Sequence, residues 1–250
     1  MTRSDVAARA EVSTAVVSYV VNGGPRNVAP ATRQRVLDVI AELGYRPNAN
    51  ARALRASTSR TIGLIVPTIS NPYFAELSEA LEAAAFAQGR TVLVGSSHDD
   101  VARETRYLDE FIERRVDGVV LVSVGEDPAI RAALDAEIPV VLLDRPAANL
   151  QVPCITIDNE AAGFAATSHL VGHGHTRIAC ITGPADQAVA RARQSGWRRA
   201  LDGAGIVDLD RMTIAAEFSA VGGYDAARRL LTSTDATAVF VCSDSQSRTD

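Results

Sequence analysis

The sequence predicts an N-terminal all-α helix-turn-helix three-helix domain joined to an α/β two-lobed core with parallel sheets. Three observations carry this. Between Asp5 and Asn22 the chain reads as a short helix, a tight turn and a second helix. From Thr61 onward, short apolar runs alternate with helical patterns, which implies parallel sheets wound on both faces. Charge is split: residues 1–60 hold nine arginines (3, 9, 26, 33, 35, 46, 52, 55 and 60) against four acids (5, 11, 38 and 42), a net +5 in a chain of net charge −5 that contains no lysine. Residues 61–250 therefore carry −10. A basic head on an acidic body fits phosphate contact confined to one end; a solvated basic face without a partner is the plain alternative.

In the head, Ser13 is placed to cap the second helix. Val17, Val20 and Val21 then fall on one side at core spacing, and Thr14, Ala15, Ser18, Tyr19 and Asn22 on the other. A helix with that small polar face is shaped to lie in the DNA major groove. The alternative is that Val6, Val17 and Val21 are simply the core of two surface helices. Pro30 suits the first turn of a third helix, in which Val36, Leu37, Ile40 and Leu43 repeat at helical spacing. Gly44 supplies a left-handed cap and Pro47 blocks continuation.

In the core, residues 61–67 form a buried-strand run and residues 72–88 a helix with apolar or small residues at 74, 77, 81 and 85. Strand 91–97, helix 101–114, strand 118–123, helix 128–136 and strand 140–143 follow. A second series comprises strand 155–157, helix 160–171, strand 178–182, helix 191–203, strand 213–216, helix 224–233 and strand 238–242. Residues 146–153, bounded by prolines, separate the lobes.

Ligands of open parallel sheets bind beyond the carboxyl ends of the strands. Asn71-Pro72-Tyr73-Phe74, Asp144-Arg145 and Gly183-Pro184 lie there, with Arg193 close to the same edge. A planar arginine fork suits vicinal hydroxyls, a carboxylate or a purine oxygen. Tyr73, Phe74 and Phe218 can stack on a flat or sugar-ring ligand, and Asp144 and Asp244 can accept hydrogen bonds. Phe74 and Phe218 serve equally well as core residues. Asp158 reads as a helix cap.

No metal and no cofactor is expected. His169, His173 and His175 have no acidic or cysteine ligand close in sequence. Cys154, Cys180 and Cys242 are widely spaced among apolar residues, as buried free thiols in a reducing cytoplasm would be. The sequence shows no secretion signal and no membrane-spanning apolar run. P-loop, GxGxxG and Gly-x-Ser-x-Gly motifs are missing, which argues against an enzyme.

The chain resembles the lactose/galactose-repressor (LacI/GalR) family from about Thr2 to Ser245. Asp5-Val6-Ala7, Val12-Ser13-Thr14, Val17-Ser18, Val21-Asn22-Gly23, Thr32-Arg33-x-Arg35-Val36, Glu42-Leu43-Gly44-Tyr45-x-Pro47-Asn48 and Ala51-Arg52-x-Leu54 carry the likeness. The resemblance implies that Thr14, Ala15 and Tyr19 face base edges while Ser13, Ser18, Asn22 and Arg33 approach phosphates. It implies a hinge helix from Asn48 to Arg55 that forms on operator DNA, with Leu54 wedged into a minor-groove step and Arg52 beside it. It makes Arg193 the main effector contact and gives Arg191 a structural part. Glu11 stands where relatives place Gly or Asn, costing about 1 kcal/mol if left-handed. Ala29 replaces a serine cap, a loss of about 1 kcal/mol.

The expected organisation is a DNA-binding domain (1–47), a hinge helix and linker (48–60), and two lobes (61–145 and 146–250) of a periplasmic-binding-protein-like core. The function implied is a cytoplasmic transcriptional repressor, a homodimer on double-stranded operator DNA, switched by a small-molecule effector such as a sugar or nucleoside. The alternative is a periplasmic-type sugar binder without DNA function. Relatives continue beyond the strand near Cys242, whereas residues 245–250 are polar and do not read as the expected helix. Either the sequence is a fragment of a longer chain or the reading frame ends early, and the second case predicts an incomplete core with exposed apolar strand edges, prone to association.

Overall fold

Thr2 opens the first helix with a reciprocal cap. Its hydroxyl accepts from the Asp5 amide at 3.3 Å, and the Asp5 carboxylate accepts from the Thr2 amide at 2.7 Å, a capping box that satisfies two otherwise orphaned donors. The computed structural model describes residues 1–22, 27–46, 58–124, 128–147, 149–207 and 211–247. These form two compact units, Met1–Arg60 and Thr61–Asp250.

The first unit holds α1 (Arg3–Arg9), α2 (Thr14–Asn22) and α3 (Pro30–Leu43). Val6, Ala7, Val17, Val20, Val36 and Val39 make its core. Leu37, expected inside, is 40% exposed. Val39 takes that place because the burial stripe of α3 runs through 36, 39, 40 and 43, positions three or four residues apart along one helix face. Glu11 is left-handed at φ 52 and so is Gly44 at φ 58. Ala29 makes no side-chain cap.

The second unit carries two parallel sheets. The first has the order β2-β1-β3-β4-β5, built from β1 (Thr61–Val66), β2 (Thr91–Ser96), β3 (Gly118–Leu121), β4 (Val140–Leu143) and β5 (Cys154–Ile155). Helices α4 (Pro72–Ala87), α5 (Val101–Glu113) and α6 (Pro128–Asp135) cover it. Leu108 and Phe111 of α5 and Ile130 and Ala133 of α6 pack on one face, and Phe74, Leu77 and Leu81 of α4 on the other. The strand expected to open the second series is therefore the edge of the first sheet, since Leu142 pairs with Cys154 and Leu143 with Ile155. The chain after β4 turns back beside it, and a two-residue apolar run carries no signal of which sheet it joins.

The second sheet has the order β7-β6-β8, from β6 (Ile178–Thr182), β7 (Thr213–Ala215) and β8 (Ala238–Val241), with α7 (Asn159–Gly172), α8 (Ala188–Gly203), α9 (Ala220–Ser233) and α10 (Asp244–Ser247). Every residue of β6 is buried. Ile178 and Cys180 pack on Trp197 and Leu201 of α8, Ala179 and Ile181 on Ala226 and Leu230 of α9. Burying each large aliphatic side chain is worth about 1.5–3 kcal/mol.

Two helices begin earlier than periodicity suggests. Helix α8 starts at Ala188, so Arg193 lies in its second turn. Helix α9 starts at Ala220 because Ser219 accepts from the Gly222 amide at 3.1 Å. The polar tail also differs from expectation: Asp244–Ser247 is helical and Gln246 is buried. No helix among the described residues is long and apolar enough to cross a membrane.

Candidate functional site

In the head, Ser13 Oγ accepts from the Val16 amide at 3.3 Å, which starts α2 and sets its outward face. Thr14, Ala15 and Asn22 are exposed, Ser18 and Tyr19 half-buried. Asn22 Nδ2 donates to Ser18 Oγ at 3.2 Å. Arg33 is exposed on α3. Arg35 is structural: its Nε donates to the Ala10 carbonyl at 3.0 Å, closing the end of α1. Asn48, Arg52 and Leu54 lie outside the described residues.

In the core unit, the carboxyl ends of both sheets face a cleft of about 390 Å³. Tyr73, Phe74, Asp144, Arg193, Phe218 and Asp244 all line it, three from each sheet's side. Phe74 is 7% exposed, so it lines the cleft and also packs in the core with Leu77 and Leu81 of α4. The Tyr73 and Phe74 rings meet edge to face at 5.1 Å. Burial pushes the Tyr73 phenol up, Asp144 adds to this and Arg193 opposes it. Phe218 lies against Gly183, where a β-carbon would overlap its ring.

Arg193 is aimed by two neutral acceptors. Its Nε donates to Asn159 Oδ1 at 2.8 Å and its Nη1 to the Cys242 carbonyl at 2.7 Å. These take two of five donors, fix the guanidinium plane and leave its charge uncompensated by them. Asp158 caps α7 through the Ala161 amide at 2.9 Å. That frees Asn159 to reach Arg193. Arg191 Nη1 donates to the Ala185 carbonyl at 2.7 Å, a structural part as expected.

Known proteins align with both units. A model of bacterial regulatory proteins of the lacI family matches residues 2–48, and one of periplasmic binding proteins and the sugar binding domain of the LacI family matches residues 59–247. The chain belongs to the lacI family of bacterial regulators. Catabolite control protein A of Priestia megaterium is 35% identical over 243 residues, covering 96% of this chain and 73% of that protein. The ribose operon repressor of Escherichia coli K12 is 35% identical over 232 residues, covering 92% and 70%. Among solved structures, the lac repressor dimer bound to operator and the anti-inducer ONPF superposes with a TM-score of 0.85 at 27% identity, covering 98% of this chain and 74% of that one.

This lacI-family chain is thus a DNA-binding transcriptional regulator and not an enzyme, which favours that reading over a binder without DNA function. Arg145, placed at this edge by the sequence, lines the cleft, but its partners and the part of Gln246 escaped sequence reasoning. Arg145 spans the two sheets' sides: Nη1 donates to Asp99 Oδ1 at 2.7 Å and Nη2 to Gln187 Oε1 at 3.3 Å. Gln187 occupies the N-cap position of α8 without capping it. Gln246 Nε2 donates to the carbonyls of Thr182, Ala216 and Glu217 at 3.0–3.2 Å, tying the exits of β6 and β7 beneath Phe218. Only the adjacency Asp144-Arg145 hinted at the first; a polar tail gave no hint of the second.

Proposed function

We propose that this regulator represses transcription as a homodimer, reading a pseudo-palindromic operator with α2 and responding to a neutral sugar or nucleoside in the cleft. The convergence of Tyr73, Phe74, Asp144, Arg193, Phe218 and Asp244 on one cavity is the observation that carries the effector reading. Arg145 is paired with Asp99, so Asp144 and Asp244 outnumber Arg193 among the remaining charges there. An uncharged polyol suits that balance: its hydroxyls donate to the carboxylates and accept from the guanidinium, and its ring stacks on the aromatics. The relatives' names, a ribose operon repressor among them, point the same way.

On DNA, Thr14, Ala15 and Tyr19 meet base edges. Ser13, Ser18, Asn22 and Arg33 approach phosphates, and Asn48, Arg52 and Leu54 serve the hinge. Two such heads read half-sites about one helical turn apart, near 34 Å. The protein acts in the cytoplasm, where its operator is. Effector switching requires different effector affinities for free and operator-bound protein.

The test combines two measurements. Selection from a random duplex pool should enrich one site, with affinity falling steeply as salt rises. A thermal-shift screen should give a higher unfolding midpoint with a neutral sugar or nucleoside than with its phosphate ester, and Arg193→Ala should abolish the shift. No enrichment at low ionic strength removes the DNA reading; a response to phosphate esters alone removes the neutral effector.

A further inference from the structure

Cys180, on β6, and Cys242, just past β8, lie side by side. Cys180 faces Phe240 across the β6–β8 pairing, so Cys242, two residues on, projects to the same side of the sheet. Their Sγ atoms are 3.9 Å apart and both residues are buried. Cys242 is also among the residues that line the cleft, and it is 3% exposed where Cys180 is fully buried. The hydrogen bond with Cys180, and after it the Arg193 guanidinium and the Gly183 amide, hold the Cys242 thiol below the ordinary range against the burial that opposes them. Cys180 is pushed up by its hydrogen bond to Cys242 and by burial. Cys154 sits apart on β5, half-buried, and burial pushes its thiol up. A thiolate beside a cation is the reactive form of cysteine.

We propose that Cys242, at the border of the cleft, is a peroxide-sensitive thiol and that Cys180 is its resolving partner, the two forming a reversible disulfide. The Cys242 thiol ionises and its thiolate attacks one oxygen of hydrogen peroxide; the O–O bond breaks, and the departing hydroxide combines with the proton released on ionisation to leave as water. The Cys180 sulfur then attacks Cys242 Sγ, the S–O bond of the sulfenic acid breaks, and a second water leaves with the Cys180 proton. The two sulfurs give up two electrons and the peroxide accepts them. Closing 3.9 Å to a bonded length of about 2.05 Å draws the end of β8 toward β6. The Cys242 carbonyl holds Arg193, so the guanidinium moves with it. That last consequence rests on Arg193 as an effector contact; the thiol chemistry does not. Strained disulfides are the labile, regulatory ones, and reduction by a dithiol restores the cleft.

The full chain is treated with hydrogen peroxide, alkylated with N-ethylmaleimide, digested and mapped by mass spectrometry. The expected result is the loss of two of the three free thiols, a Cys180–Cys242 cross-linked peptide that dithiothreitol abolishes, and Cys154 still alkylated. The single tryptophan, Trp197, shares a buried cluster with both sulfurs, so its emission should fall on oxidation and recover on reduction. With dimedone present, Cys180→Ser should accumulate the adduct at Cys242, and Cys180→Ala gives the same readout if the serine variant does not fold. Oxidation of Cys154 ahead of the pair, or a cross-link that appears only in denaturant, overturns the proposal. Failure of every sugar to shift the midpoint would sink the effector reading and leave this one standing.

Discussion

Gly163 and Arg193 meet backbone to backbone: a β-carbon on Gly163 would overlap the Arg193 carbonyl oxygen. Gly196 makes the matching approach to the Glu160 carbonyl. Two glycines thus let α7 and α8 cross at close range, and that crossing places Arg193 Nε within 2.8 Å of Asn159 Oδ1. The glycines act on the proposed effector contact without touching the cleft through side chains.

Gly163→Ala should therefore lower stability by about 1–3 kcal/mol, because helix backbone has to move to admit the methyl group. Gly172→Ala, at the end of the same helix with nothing within 4 Å of its β-carbon, should raise stability by up to about 0.5–1 kcal/mol. Thermal unfolding of the two variants checks the pair. Equal effects of the same sign would mean that the crossing does not depend on the glycine.

How much of this was legible in the sequence depends on the range of the signal. Local chemistry was readable: the Ser13, Asp158 and Gly44 caps are set by neighbours three or four residues away, whereas the αL turn at Glu11 was suggested only by the family resemblance. Alternation gave the strands and the strand-end rule gave the cleft residues, because both rest on short repeats. Long-range partners were not readable. Arg145 reaching Asp99 and Gln187, Asn159 reaching Arg193 and Gln246 reaching three carbonyls are pairings between distant segments, and no spacing encodes them. Strand Cys154–Ile155 failed for the same reason, since two residues cannot announce a partner sheet. Helix starts failed where the cap was a glutamine, as at Gln187, or where glycines such as Gly222 and Gly223 blurred the period.

Within the head unit, Glu11 and Ser13 bracket the turn with opposite effects. Glu11 holds φ 52, a conformation that Asn tolerates and most side chains resist, so Glu11→Asn should stabilise by about 1 kcal/mol. Ser13→Ala removes the acceptor of the Val16 amide and should cost about 1 kcal/mol. Denaturant titration followed by helical circular dichroism measures both. Destabilisation by Glu11→Asn would show that the glutamate side chain holds the turn through contacts that outweigh its backbone cost.

Arg145 ties the loop after β4 to the start of α8, and its Nε is buried without a partner among the described residues. Arg145→Ala and Gln187→Ala should both loosen the first turn of α8. The hydrogen bond at stake is worth about 1 kcal/mol, so amide exchange over residues 184–190 should quicken about fivefold. Gln187→Ala removes only the bond between the two sides, whereas Arg145→Ala also frees Asp99. Acceleration confined to residues near Asp99 would show that the Gln187 contact contributes nothing to holding α8.

Glu104 supplies a pH dependence with a definite sign. It is 2% exposed, accepting from the Val124 amide at 2.7 Å and from Ser123 Oγ at 3.3 Å. Burial pushes its carboxyl above the ordinary 4.5; the Val124 and Ser123 hydrogen bonds and the charge of Arg145 oppose that rise without cancelling it. The folded protein therefore binds this proton more tightly than the unfolded chain does. The group's contribution to stability is complete below pH 4.5 and is lost as pH rises through the folded value. Glu104→Gln keeps the shape and an acceptor for Val124 but has no proton to lose. Its unfolding midpoint, compared with the native chain at each pH, should improve as pH rises from 4.5 through the range in which the folded carboxyl ionises. A gap that stays constant over that interval would mean that Glu104 ionises alike in both states, and a gap that shrinks would mean that the carboxylate is the form the fold prefers.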